Sequence, residues 1–215
     1  MTVTLISYFL FGLGLGFLHA FDPDHVAAVS GLGVGQKTQR PKLHFAWQWS
    51  AGHGSALLLL AMGVALAGMA VPTELSAMAE RSVAYLLIGI GALACWRLRH
   101  AFRRHCHPDS SIPEPNGTAP RPPSAVAAPL VGLIHGTAGA APLLALLPIA
   151  ELPSPAWILW YVFLFSCGVT LGMLTLGYGF SKAITIGQKT NHKIRQALEI
   201  AVALFAMSVG VHLLA

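Results

Sequence analysis

Seven residues near the start of the chain, His19-Ala20-Phe21-Asp22-Pro23-Asp24-His25, bring two imidazoles and two carboxylates into one otherwise apolar stretch. Imidazole with carboxylate is the ligand set suited to Ni, Co, Zn, Cu or Fe(II), and neither an aliphatic substrate nor a phosphate would call for it. On a straight helix His19, Asp22 and His25 stand at about 0°, 300° and 240° around the axis, within one arc, while Asp24 falls near 140°. Pro23 spoils that regularity. It has no N–H for the carbonyl of His19 and its ring pushes that carbonyl aside, so the sequence predicts a kink or unwound turn that swings Asp24 inward. The competing reading of the same residues is a solvated cap, with Asp22 or Asp24 initiating a new helix at His25. Against it stand the ten uncharged residues that follow His25, which would have to be in water too.

The elements that must position these groups follow from composition. Of 215 residues, 55% are hydrophobic and 10% charged, against about 25% charged in an ordinary soluble domain. A soluble globule is excluded, and the reading is an all-α polytopic membrane protein. Hydropathy and turn punctuation give six spans, about Leu10 to Gly35, His44 to Ala70, Ser82 to Leu98, Ala125 to Ala150, Pro155 to Phe180 and Ile194 to Leu214. In lipid these must be helices, because each backbone polar group needs a partner within the segment. Ionisable groups inside a span cost a few kcal/mol each and are functional by default. Of the eight acidic residues, Asp22 and Asp24 alone are expected deep in a span.

Twelve of the thirteen Lys and Arg residues fall in three alternate connections, and only Arg81 lies on the other side. That bias puts the basic loops in the cytoplasm, both termini outside and the chain in the cell (inner) membrane. The net charge of +5 is then topological, and no nucleic-acid partner is expected. Met1 to Leu10 lacks the basic start of a secretory signal. Cys95, Cys106 and Cys167 imply no disulfide framework. Trp47, Trp49, Trp96, Trp157 and Trp160 fall near span ends, as an interfacial belt would.

Sliding the chain against itself by 116 positions lays Gly16-Phe17-Leu18-His19-Ala20 on Gly132-Leu133-Ile134-His135-Gly136, and Ser50-Ala51-Gly52 on Ser166-Cys167-Gly168. The expected organisation is therefore two three-helix repeats, 1–103 and 125–215, joined by a Pro-rich cytoplasmic linker over 104–124. An odd number of spans per repeat inverts the second half, as in secondary transporters that bind substrate near the midplane.

Other histidines carry weaker signals. His53, between Gly52 and Gly54 in span two, reads either as a ligand or relay partner for span one or as interhelical glue. His135 takes the repeat position of His19, but Asp22, Asp24 and His25 map to Ala138, Ala140 and Ala141, so ligand, gate and core histidine stay open for it. His100, His105, Cys106 and His107 could collect metal, yet Arg97, Arg99, Arg103 and Arg104 among them oppose cation capture. His44 and His192 fall at cytoplasmic edges, and His212 lies near the outer end of span six. Glu74, Glu80 and Glu151 give the outer loops a mildly negative cast.

His19-x4-Asp24-His25 resembles the His-x4-Asp-His signature of the nickel/cobalt transporter family, and Ser50-Ala51-Gly52-His53-Gly54-Ser55 is similar to that family's second-span element. The family's later acidic elements are missing, at Ile134 to Ala140 and near Gly172 to Leu176, which puts this chain in a shorter, six-span, urease-accessory-like branch. The resemblance implies transport of Ni2+ or Co2+ as substrate, and because the membrane potential favours inward movement of a dication, uptake is expected ahead of export. The resemblance also implies a metal site of His19, Asp24 and His25 that His53 joins, and cytoplasmic metallochaperones or nickel-enzyme maturation proteins as partners; Asp22, from its place in the motif, and His135, from the repeat, are further candidate ligands. A non-transporting metal sensor or accessory subunit is the alternative. No cofactor is expected and no enzyme: GxxxxGK[ST], His-Glu-x-x-His and Gly-x-Ser-x-Gly are all absent.

Overall fold

The computed structural model describes residues 2–33, 40–68, 73–106, 127–138, 152, 154–190 and 192–215. Among them every regular element is an α-helix: α1 (Thr2–His19), α2 (Pro23–Gly33), α3 (Arg40–Ala67), α4 (Thr73–Cys106), α5 (Ala127–Gly136), α6 (Pro155–Thr190) and α7 (His192–His212). Leu43–Leu66, Ser76–Arg99 and Pro155–Ala183 are each long and apolar enough to cross a membrane, and Leu5–His19 with Pro23–Gly31 makes a fourth as a pair bent by 55°. These mark the chain as a membrane protein. The apolar stretch Gln196–His212 is shorter. The predicted linker begins inside α4, which continues to Cys106; from 107 onward it lies outside the described residues, as does most of the fourth predicted span.

The bend falls where Pro23 predicts it. α1 stops at His19, and the chain turns through Phe21 N–H to Leu18 C=O (2.9 Å) and Asp22 N–H to His19 C=O (3.0 Å). The carbonyl that Pro23 cannot serve is thus taken by Asp22. Pro23 becomes the first residue of α2, where its missing N–H costs nothing, and Asp24 lies in the first turn, where the helix dipole favours an anion. Both readings of the motif therefore hold in part: a new helix does start there, inside a broken span, two residues earlier than His25.

The helices pack as α1 on α6, α3 on α5 and α4 on α7, with α2 against α4, α6 and α7. Close approach depends on glycine. A Cβ at Gly16 would collide with the carbonyl of Phe165, and one at Gly132 with that of Trp49; likewise Gly52 meets Pro129 C=O and Gly168 meets Leu13 C=O. Each pair of contacts is related by the offset of 116. So is the turn after His19, which recurs after His135 as Thr137 N–H to Ile134 C=O (3.2 Å) and Ala138 N–H to His135 C=O (3.1 Å). Ser50 and Ser166 also match, each donating to the carbonyl four residues back.

Two expectations are corrected. Asp22 lies in the turn between α1 and α2 with its side chain 43% exposed, and Asp24 is not the lone deep acid, because α7 buries Glu199. It shares the face of Ala203, Ala206 and Gly210, spaced as one side of a helix, and that side is the one turned into the bundle. Trp49 does not belong to an interfacial belt. Trp47, Trp96 and Trp160 are exposed, but Trp49 lies on the α3 face of Ala46, Ser50, His53 and Leu57 and is fully buried.

Candidate metal centre

His19 ends α1, His25 opens α2, His53 stands midway along α3 and His135 lies in the last turn of α5; all four are buried. The bend brings the first two together, with ring centroids 4.7 Å apart. His53 closes on both, 5.7 Å from His19 and 5.2 Å from His25, because Gly52 and Gly54 let α3 approach its neighbours. His135 reaches His25 at 5.5 Å. Nitrogen atoms of His19, His25 and His53 all lie within 4.8 Å of one another, a spacing that could hold a metal ion. Bonds of about 2.0–2.1 Å would require the rings to draw in by on the order of 1 Å.

Asp24 supplies the charge. Its Oδ1 lies 3.1 Å from His25 Nδ1, and its Oδ2 3.8 Å from His135 Nε2. Asp22 meets His19 instead, with Oδ2 2.7 Å from His19 Nδ1 but off the direction of a hydrogen bond, and its side chain is 43% exposed against 25% for Asp24. Among the described residues both ring nitrogens of His53, and Nε2 of His19, His25 and His135, are buried with no hydrogen-bond partner. A buried orphan of this kind costs about 1–3 kcal/mol, so five of them on facing rings are a poor core and a good ligand set. His100, His105, Cys106 and His107 have no described side chains.

Sequence reasoning missed the aromatic seats of this cluster. Phe165 packs on His19 (5.7 Å) and Trp49 on His135 (4.9 Å) and His25 (5.1 Å). Positions 49 and 165 differ by the same 116 that relates His19 to His135. The offset was the signal that could have paired them.

Among known proteins, the chain is similar to the urease accessory protein UreH of Bacillus sp. (strain TB-90), 33% identical over 179 residues that cover 80% of this chain and 75% of that protein. The chain belongs to the UreH family. That placement fits the urease-accessory-like branch of nickel/cobalt permeases which the His-x4-Asp-His motif resembles. No family model matches the chain, and no solved structure matches it.

Proposed function

We propose that this chain is a permease that carries a divalent transition-metal cation, nickel or cobalt, across the cell (inner) membrane into the cytoplasm. The observation that carries the reading is the set of three buried imidazoles, ligand atoms within 4.8 Å, with the Asp24 carboxylate against them. His19, Asp24 and His25 hold the ion, His53 and His135 complete the cage, and Asp22 orients His19. The frame is six spans in two inverted three-helix repeats around a Pro-rich linker, a reading supported by the glycine contacts and turns related by 116. Basic loops are cytoplasmic and both termini outside. The membrane potential then favours entry of a dication by about 4.6 kcal/mol per 100 mV. Cytoplasmic nickel-enzyme maturation proteins are the receiving partners, in keeping with a relative named for urease assembly.

Radiolabelled nickel and cobalt uptake into proteoliposomes tests the reading: flux above empty liposomes is expected, and none sinks it. Protons compete for imidazole, which must be neutral to bind. Uptake at limiting nickel is therefore expected to fall about tenfold as pH drops from 7 to 5, and a flat profile would speak against imidazole ligands. The two aspartates should also separate. Asp24→Asn removes the anion between His25 and His135 and is expected to weaken nickel binding about 10- to 100-fold, with Asp22→Asn costing less than half of that in free energy, as calorimetry of the purified variants would measure.

A further inference from the structure

The two halves of the chain cover their histidines in the same way. Phe165 packs on the ring of His19 and Trp49 on those of His135 and His25, and positions 49 and 165 differ by 116, as do 19 and 135. Behind each ring stands another at the same offset: Phe45 stacks on Trp49 at 6.5 Å, and Tyr161 is buried one turn before Phe165. Helix direction decides which side each pair covers. Gly12 meets Tyr161, Gly16 meets Phe165 and Gly172 meets Ala20, so α1 and α6 run the same way; Gly132 meets Trp49 and Gly136 meets His53 and Ala56, so α3 and α5 do too. Along each of these helix pairs the aromatic ring comes before the histidine it packs on. In the inverted arrangement proposed above, α6 enters from outside and α3 from the cytoplasm. Phe165 then lies about 6 Å to the outer side of the middle of Pro155–Ala183, and Trp49 about 8 Å to the cytoplasmic side of the middle of Leu43–Leu66, with the imidazoles between them. Both rings are fully buried, and an apolar constriction that excludes water also stops an ion. Gly16 and Gly132 hold the backbone of Phe165 and of Trp49 against the neighbouring helix, which leaves the ring as the part that can move, by its side-chain torsions.

We propose that Phe165 and Trp49 are the two closures of the cation's route, Phe165 shutting the histidine cluster from the outside and Trp49 from the cytoplasm, with both shut in this structure. The proposal rests on the transport reading above and adds an order of events to it. The Phe165 ring swings aside to admit the ion to His19, and the Trp49 ring swings aside to let it leave past His135. The rival route runs past Asp24, whose side chain is 25% exposed; an ion entering there would meet neither ring.

The test places a thiol inside the cluster: His53→Cys in the full chain with Cys95→Ala, Cys106→Ala and Cys167→Ala, probed with a membrane-impermeant methanethiosulfonate reagent from either face of oriented vesicles. With both rings present the thiol is expected to react slowly from both faces. Phe165→Ala should speed the reaction about tenfold or more from the non-cytoplasmic face alone, and Trp49→Ala should do so from the cytoplasmic face alone. Phe165→Leu and Trp49→Leu keep more of the packed volume; they should show the same sidedness to a smaller degree, and they carry the test if an alanine variant does not fold. A bundle that had only loosened would admit the reagent from both faces. Reaction from both faces, from the wrong face, or at the rate seen with both rings present overturns the closures, and the last of these outcomes points to entry past Asp24. Nickel uptake by the wild-type chain in the same vesicles separates the two claims. Sided labelling without uptake overturns the transport reading alone, and uptake without sided labelling overturns the closures alone.

Discussion

Replacing His25 by Asn is expected to weaken nickel binding to the purified chain by about 100-fold or more, the largest loss from any single side chain of the cluster. His25 is its hub: the ring meets those of His19, His53, His135 and Trp49, and its Nδ1 meets Asp24. Asn fills much of the imidazole's space and keeps a polar group near Asp24, so the fold is disturbed less than by Ala and the readout reports the lost ligand atom. Thermal melts make the effect quantitative. An ion that binds the folded chain alone stabilises it by RT ln(1 + [L]/Kd), about 2.7 kcal/mol when nickel is 100 Kd. At the same nickel concentration a 100-fold weaker variant gains only about 0.4 kcal/mol. The metal-free melting temperatures of the two proteins should be close, and the nickel-dependent rise should all but vanish in the variant. A full rise in His25→Asn would remove His25 from the ligand set.

The same residues explain what the sequence could and could not reveal. The meeting of His19 and His25 was legible because it is local: two imidazoles six residues apart across Pro23 are brought together by a bend whose cause is a single missing N–H. The approach of His53 was legible only as far as its two flanking glycines, which permit a close helix without naming it. His135 stayed open because its position carries an imidazole but none of the neighbouring ligands; what settles its place against His25 is the packing of α5 on α3, a long-range contact that no local pattern encodes. Trp49 was misread for a related reason. Tryptophans near span ends usually sit at the interface, and nothing within α3 says that this one points into the bundle until the helical phase of Ala46, Ser50, His53 and Leu57 is followed through it. Glu199 escaped because one acid near the start of a span looks like an edge residue, whereas its phase with Ala203 and Ala206 turns it inward.

Gly16→Ala and Gly132→Ala should each be severely destabilising, and each should also damage the histidine cluster. One methyl group at Gly16 would be driven into the backbone carbonyl of Phe165, and at Gly132 into that of Trp49. A carbonyl cannot rotate away as a flexible side chain could, so helices α1 and α6, or α5 and α3, must separate by on the order of 1 Å, and close backbone approach through small residues is what drives helix association in lipid. Overpacking of this sort costs about 1–3 kcal/mol and more where backbone must move. The consequence for the site is geometric: each glycine stands three residues before a histidine, Gly16 before His19 and Gly132 before His135, and the residue whose carbonyl it meets is the one whose ring packs on that histidine. Pushing Phe165 or Trp49 outward therefore unseats the imidazole as well as the helix. Gly89→Ala and Gly179→Ala, with nothing within 4 Å of an added methyl, provide the contrast; they should be neutral or stabilising by about 0.5–1 kcal/mol, since Ala is the better helix former. Detergent-solubilised protein should show melting temperatures at least about 5 °C lower for Gly16→Ala and Gly132→Ala and unchanged or higher for the other two, with nickel affinity reduced only in the first pair. Equal melts in all four would mean that the two glycines are not at the helix crossings that carry the site.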